Sequence, residues 1–182
     1  LDLEGIDPVA VYGPLAAESL KRLDGMRAVG DLVLVSLYDP DTEEVAAFVL
    51  RARRTNPRLI YLCDPVMGDN DIGFFVPVDL QAAFRERLVP LADIVTPNAF
   101  ELGALSGTPV ITPAGVAAAA ASIGTATVIT TGVSAEGDSV CTMLAEAGAL
   151  WVVTTARIDA RPAGTGALFT GLFAARLAHG FG

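Results

Sequence analysis

Four short segments of this 182-residue chain carry side chains or backbone donors suited to an anion or a cation. Gly164-Thr165-Gly166 directly precedes an apolar run. Glycines let backbone N–H groups approach a ligand closely, and a following helix puts positive partial charge there. That pairing suits a transferring phosphoryl group. It is also what an ordinary turn with Thr165 near the cap looks like. Asn98-Ala99-Phe100-Glu101 follows Pro97. Its two oxygen-bearing side chains suit magnesium and phosphates, since magnesium takes oxygen ligands and few of them from protein. The same spacing is a plain capping box. Asp64 sits in Cys63-Asp64-Pro65-Val66-Met67-Gly68-Asp69 at the end of an apolar run. It could orient a cation or a hydroxyl, or serve as a turn aspartate before proline. Thr130-Thr131-Gly132 ends another apolar run, where hydroxyls could meet phosphate oxygens or simply reflect β-propensity.

The remaining candidates read as structural. His179 is the single histidine, placed in a last helical turn where the dipole favours it. Trp151 and the pair Phe169 and Phe173 read as core.

These segments need elements to hold them. Leu32 to Leu37 predicts a buried strand. Asp41, three residues before Glu44, opens a helix through Val45, Phe48, Val49 and Ala52, stopped by Asn56-Pro57. A strand over Leu59 to Cys63 follows, then an amphipathic helix on Leu80, Ala83, Phe84 and Leu88. Asp93 to Thr96 predicts a strand, and Asn98 opens a helix through Leu105. Thr112 as N-cap with Pro113 begins an alanine-rich helix that Gly124 ends. Thr127 to Thr131 is a strand. Val140 to Leu144 and Leu150 to Thr154 form a hairpin turning at Ala147-Gly148. Ala167 to His179 is a helix with Gly180 beyond it. Leu15 to Leu23 suggests one more helix, in the least readable stretch. Alternating strands and helices imply a mostly parallel sheet, and ligands of such sheets bind at the carboxyl ends of the strands. That rule selects Ser36-Leu37-Tyr38, Asp64, Thr96 to Glu101, Thr130-Thr131 and the Gly164 turn.

Composition narrows the class. Hydrophobic residues make up 52% of the chain and charged residues 18%, below the usual quarter. This fits a sheet covered on both faces. The net charge of −9 disfavours nucleic acid as a partner. It leaves a magnesium-bound nucleotide possible, because the ion reverses the local sign. Cys63 and Cys141 form no CxxC pair and read as reduced buried thiols of a cytosolic protein. No signal-peptide pattern is evident. The uncharged stretch from Leu102 to Ala135 is broken by Pro109, Pro113, Gly115 and Gly124, so it reads as buried helix and strand rather than a membrane span.

The order of these motifs carries a resemblance. The segment YLCDPVMGDNDIGFFVPVDLQAAFRERLVPLADIVTPNAFELGALSG, residues 61–107, strongly resembles the pyridoxal kinases of the ribokinase-like superfamily. The later VITTG and GTG-x-LF segments match in type and order, so the resemblance covers roughly Asp31 to Gly180. It implies a ribokinase-like α/β fold with a mostly parallel central sheet and helices on both faces. It further implies one domain over 1–182, lacking the family's N-terminal strand and lid. Asp64, Thr96, Asn98 and Glu101 match positions at the metal and nucleotide phosphates, with Asp64, Thr96 and Glu101 those nearest the metal. Asp69 matches a position near ATP, and Thr130 and Thr131 match nucleotide contacts. Gly164, Thr165 and Gly166 match the anion hole. Tyr38 matches a tyrosine near the pyridine substrate, although the family usually has glycine where Leu37 stands.

The reaction so implied is magnesium-dependent transfer of the ATP γ-phosphoryl group to the 5′-hydroxymethyl of pyridoxal, pyridoxine or pyridoxamine. A cytoplasmic homodimer is expected from the family, with no nucleic-acid or membrane partner. The family's catalytic base is an aspartate directly after GTG, and here that residue is Ala167. Impaired turnover with retained nucleotide binding is the expectation. Two alternatives stand beside it. One is a hydroxymethylpyrimidine kinase of the same superfamily, although the cysteine usual in that group's anion-hole motif is absent. The other is a catalytically silent nucleotide- or vitamer-binding protein.

Overall fold

Short runs rich in valine and leucine pair with one another almost in the order in which they occur along the chain. A computed structural model of the protein describes residues 8–12 (by backbone), 32–36, 41–135, 137–160 and 164–179. Strands β1 (Pro8–Tyr12), β2 (Leu32–Ser36) and β3 (Ile60–Asp64) run parallel. Two further short strands, β4 (Gly68–Asp69) and β5 (Gly73–Phe74), leave the sheet as a separate hairpin. β6 (Ile94–Val95) and β7 (Thr127–Ser134) extend the parallel sheet. β8 (Ser139–Glu146) and β9 (Ala149–Ala156) complete it in antiparallel sense. The order across the seven-stranded sheet is β1-β2-β3-β6-β7-β8-β9.

Alternation along the strands sends side chains to two faces. Val33, Val35, Tyr61, Cys63 and Val95 pack against α1 (Thr42–Thr55) and α2 (Val78–Ala83). Val128 continues this face, because it pairs in register with Val95. It packs under α3 (Ala99–Ser106) and α4 (Pro113–Ile123). Leu32, Leu34, Leu62, Ile94 and Ile129 face the other way and meet α5 (Thr165–Ala178). Helices therefore cover both faces, four on one and α5 on the other among the described residues. Burying a side chain such as Phe48 or Leu62 stabilises the fold by about 1.5–3 kcal/mol each.

Local signals explain most element ends. The Asp41 side chain accepts from the Glu44 N–H, and the Thr112 hydroxyl accepts from the Gly115 N–H at 3.1 Å. Gly107 and Gly124 close α3 and α4 in the left-handed conformation. The helix expected through Leu88 departs from regularity. It widens to a π turn over Phe84–Leu88 and then tightens to a 3₁₀ turn over Val89–Leu91. Pro90 lacks an N–H and its ring opposes an α-helical continuation. The strand expected over Thr127 to Thr131 runs on to Ser134 through a bulge between Thr130 and Val133. Trp151, expected in the core, is half exposed on β9. β9 is an edge strand; Leu150 faces the α4 side, and Trp151, next along the strand, faces the opposite way. Both cysteines are free and buried. No helix among the described residues is long and apolar enough to cross a membrane. The helix expected over Leu15 to Leu23, and Gly180, lie outside the described residues.

The hairpin between β8 and β9 turns on two residues with positive φ, Ala147 at 50° and Gly148 at 79°. A two-residue turn of this kind prefers Asn-Gly, and alanine is strained in the left-handed region. Ala147→Asn should stabilise the protein by about 0.5–1 kcal/mol. Urea unfolding measures it; a midpoint that stays put or drops would show that the turn stores no strain.

Candidate active site

Register places polar residues side by side at the carboxyl edge of the sheet. Ser36 and Asp64 end β2 and β3 and pair with one another. The Ser36 hydroxyl donates to Asp64 Oδ2 at 3.0 Å. Thr96, just past β6, donates to Asp64 Oδ1 at 3.3 Å. Thr96 Oγ1 also lies 3.0 Å from Thr170 Oγ1, on α5. The Thr170 hydroxyl reaches the Gly166 carbonyl at 3.0 Å. Four buried side chains thus run from β2 across β3 and β6 into the second turn of α5. Burial raises the Asp64 carboxyl above its ordinary range, against the pull of hydrogen bonds from Ser36, Thr96 and Thr170.

The Gly164 turn sits at the far end of this chain of hydroxyls. Gly164 caps α5 at a φ of 81°, and no side chain among the described residues caps the helix. Gly164, Thr165 and Gly166 are exposed, and a Cβ built on Gly166 would meet nothing within 4 Å. An open helix start with uncapped N–H groups can receive an anion. Ala167 is half-buried in the first turn of α5. Cys63 offers no nucleophile beside Asp64, because burial pushes its thiol up to about 12.

A second cluster ties the loop after β3 to the start of α3. Both halves of the capping box form: the Glu101 N–H donates to Asn98 Oδ1 and the Asn98 N–H to Glu101 Oε2, each at 2.9 Å. Glu101 Oε1 also accepts from the backbone N–H groups of Met67 at 2.8 Å and Gly68 at 3.3 Å. The Asn98 amide donates to the Gly68 carbonyl at 2.8 Å. Gly68 is obligatory at this crossing, since a Cβ there would lie 2.6 Å from Phe100 and 2.7 Å from the Gly73 carbonyl. Asp69 is exposed on β4 beside it. A backbone bridge joins Asn98 to Thr131, whose N–H donates to the Pro97 carbonyl at 3.1 Å.

Not every expected residue joins these two clusters. Thr130 is fully buried on the α4 side of the sheet, and its hydroxyl has no partner among the described residues. Thr131 is half-buried at the bulge. Tyr38 lies outside the described residues. Among the described residues no group of three His, Cys, Asp or Glu could hold a metal ion. Glu101 already accepts three backbone N–H groups, so its position fits a structural tie as well as a place near a cation. His179 is exposed at the end of α5, away from its first turn. Cavities of about 290 Å³ beside the β8–β9 turn and about 410 Å³ between α1 and α2 are lined by none of these residues. The strand-end rule selected Ser36, whereas sequence reasoning missed Thr170 as a working part. A hydroxyl on the apolar stripe of α5, four residues before buried Ala174, is the signal that points to a buried polar partner.

Burial pushes the Glu101 carboxyl up to about 7, while the N–H groups of Met67, Asn98 and Gly68 pull it down and Asp64 adds to the rise. A carboxyl raised above its unfolded value of 4.5 costs stability once ionised. The cost is absent below that value and complete above about 7, so this group makes stability fall as pH rises through the window. The Glu101 carboxyl carbon should titrate near 7 by NMR. A midpoint at 4.5 or lower would mean that three N–H donors outweigh burial.

A parallel sheet with an open glycine turn and a buried aspartate at its carboxyl edge is the arrangement of the ribokinase-like α/β fold. The model of the phosphomethylpyrimidine kinase family matches residues 37–181, and the chain belongs to that family. A pyridoxal kinase of Leifsonia xyli is 33% identical over 180 residues, which are 95% of this chain and 59% of the relative. Human pyridoxal kinase is 50% identical over 66 residues, 35% of this chain and 21% of that protein. Among solved structures, pyridoxal kinase from Leishmania donovani in complex with ADP and pyridoxamine superposes with a TM-score of 0.75 at 27% identity. The match covers 90% of this chain and 58% of that one. The chain thus spans about three-fifths of the length of relatives that it matches along most of its own.

Proposed function

We propose that the protein is an ATP-dependent kinase for the 5′-hydroxymethyl group of pyridoxal, pyridoxine or pyridoxamine. The observation that carries this reading is the run of buried hydroxyls from Asp64 to Gly166. It holds an uncapped, open helix start at the carboxyl edge of the sheet, where a γ-phosphoryl group would need backbone donors. The Leishmania relative, which carries ADP and pyridoxamine, supports the same ligands here.

In this reading Gly164, Thr165 and Gly166 receive the transferring group. Asn98, Thr131 and Asp69 lie along the nucleotide, Thr130 is buried too deeply to reach it, and Tyr38 borders the pyridine ring. Magnesium arrives with the nucleotide. Its charge would be neutralised mostly by phosphate oxygens, with Asp64, Thr96 and Glu101 on the protein side. A single cytoplasmic domain acting as a homodimer completes the proposal. Ala167 favours a second reading, a protein that binds nucleotide and vitamer without turnover, because alanine cannot take a proton from the attacking hydroxyl.

Calorimetry with ATP, with and without magnesium, tests the nucleotide site. Turnover assays with the three vitamers and a hydroxymethylpyrimidine test the acceptor. Magnesium-dependent ATP binding with vitamer preference is expected. Absence of ATP binding would remove the kinase reading, and preference for the pyrimidine would reassign the acceptor.

A further inference from the structure

We propose that Thr170 is a positioning residue: its hydroxyl fixes the anion-receiving turn of α5 against the strand that carries Thr96. This rests on the nucleotide reading above and adds a residue that the motifs do not single out. Thr170 lies one helical turn beyond Gly166, is 1% exposed, and stands on the side of α5 that faces the sheet. Its Oγ1 makes two contacts at 3.0 Å, one to the Gly166 carbonyl and one to Thr96 Oγ1. Thr96 in turn is held by Asp64, which Ser36 holds from the other side.

The geometry gives Thr170 a task that apolar packing cannot do. The rest of the buried stripe of α5, Phe169, Phe173, Ala174, Leu177 and Ala178, meets Leu32, Leu34, Leu62, Ile94 and Ile129 through contacts without direction. Such contacts tolerate a small slide or rotation of the helix. Among the described residues the first turn has no side-chain cap and no buried side chain at Thr165, Gly166 or Ala167 to resist that slide. Thr170 is the first buried residue of the helix, and its hydrogen bonds are directional. It therefore sets where the N–H groups of the Gly164 turn stand relative to Asp64 and Thr96. Displacement of such donors by an ångström weakens their hold on a phosphoryl group far more than it alters the fold.

Thr170→Val keeps the volume and removes the hydroxyl, and Thr170→Ser keeps the hydroxyl. In the full-length protein, Thr170→Val should weaken ATP binding about tenfold, while adenosine, which has no phosphate, binds as before. Thr170→Ser should bind ATP within about twofold of the parent. Amide hydrogen exchange at Leu168, whose N–H donates to the Gly164 carbonyl at 3.0 Å, should quicken in the valine form and not in the serine form. Thr170→Ala, which also lacks the hydroxyl, should repeat the valine result and serves if valine fails to fold. ATP affinity unchanged in both hydroxyl-free forms overturns the proposal. Equal loss of ATP and adenosine, or loss in the serine form as well, overturns it in favour of a general packing role. If the parent protein binds no ATP at all, the nucleotide reading fails first and this inference with it.

Discussion

Ala167→Asp is expected to raise kcat by roughly 10²-fold or more, with little change in ATP affinity. The position lies in the first turn of α5, directly after the Gly164-Thr165-Gly166 turn, and is half-buried. A carboxylate there stands beside the uncapped N–H groups that would receive the phosphoryl group. It can accept the proton of the attacking hydroxyl as the group transfers. Alanine has no titratable atom. Thr165 is not basic, and His179 is about three helical turns away. Phosphoryl transfer relies mainly on positioning and charge, so the alanine form should still bind nucleotide. The substitution should not harm the fold. Residue 167 is the third of the helix, where a negative charge gains about 0.3–1 kcal/mol from the dipole. The measurement is phosphorylated vitamer formed by both full-length forms at saturating ATP and magnesium. An ordinary kinase rate in the alanine form would show that this position is not the base. An aspartate form that binds both ligands and stays inactive would remove most of the support for a kinase.

Glu101→Ala is expected to lower the unfolding free energy by about 3 kcal/mol or more. The substitution strands the N–H groups of Met67, Gly68 and Asn98 together, and the first two lie in buried residues. Each buried donor left without a partner costs about 1–3 kcal/mol, less where water can reach it. The damage should be local as well as global. Met67 and Gly68 should exchange their amide protons quickly, because Glu101 is the acceptor for both. Asn98→Ala should cost less, about 1 kcal/mol for the lost cap. Urea unfolding compares the three proteins. A Glu101→Ala loss below that of Asn98→Ala would mean that the carboxylate is not the anchor, and its place near a cation would become its main role.

Elements with a boundary residue and a period are legible in the amino-acid sequence itself. Asp41, Thr112 and Gly124 mark helix ends, and each does so through the bond or conformation its type predicts. Asn98 and Glu101 read as a capping box, and both of its bonds form. What escapes a reading of the sequence is too short or too quiet. β4 and β5 have two residues each, less than one alternation. β1 is a five-residue run framed by Asp7-Pro8 and Gly13-Pro14, too short for its alternation to mark it as a strand. The two-cluster layout of the site also lies beyond local reading. Whether Asp64 meets Thr96 or Glu101 depends on the register of neighbouring strands, and no segment taken alone contains that.

The nearly sequential order of the sheet has a bearing on how the protein is made. A chain emerging from the ribosome amino end first can add β2 to β1, β3 to β2, and so on, each strand meeting a partner already in place. Few distant segments must wait for one another, which favours fast assembly. The exception is the last described helix. Leu32, Leu34, Leu62, Ile94 and Ile129 are complete as a surface once β7 has paired, yet α5, the described helix that covers them, is translated only some thirty residues after β7 ends. For that interval no other described element covers this apolar patch. Synthesis that stalls before residue 165 should therefore yield aggregates rather than a soluble, smaller domain.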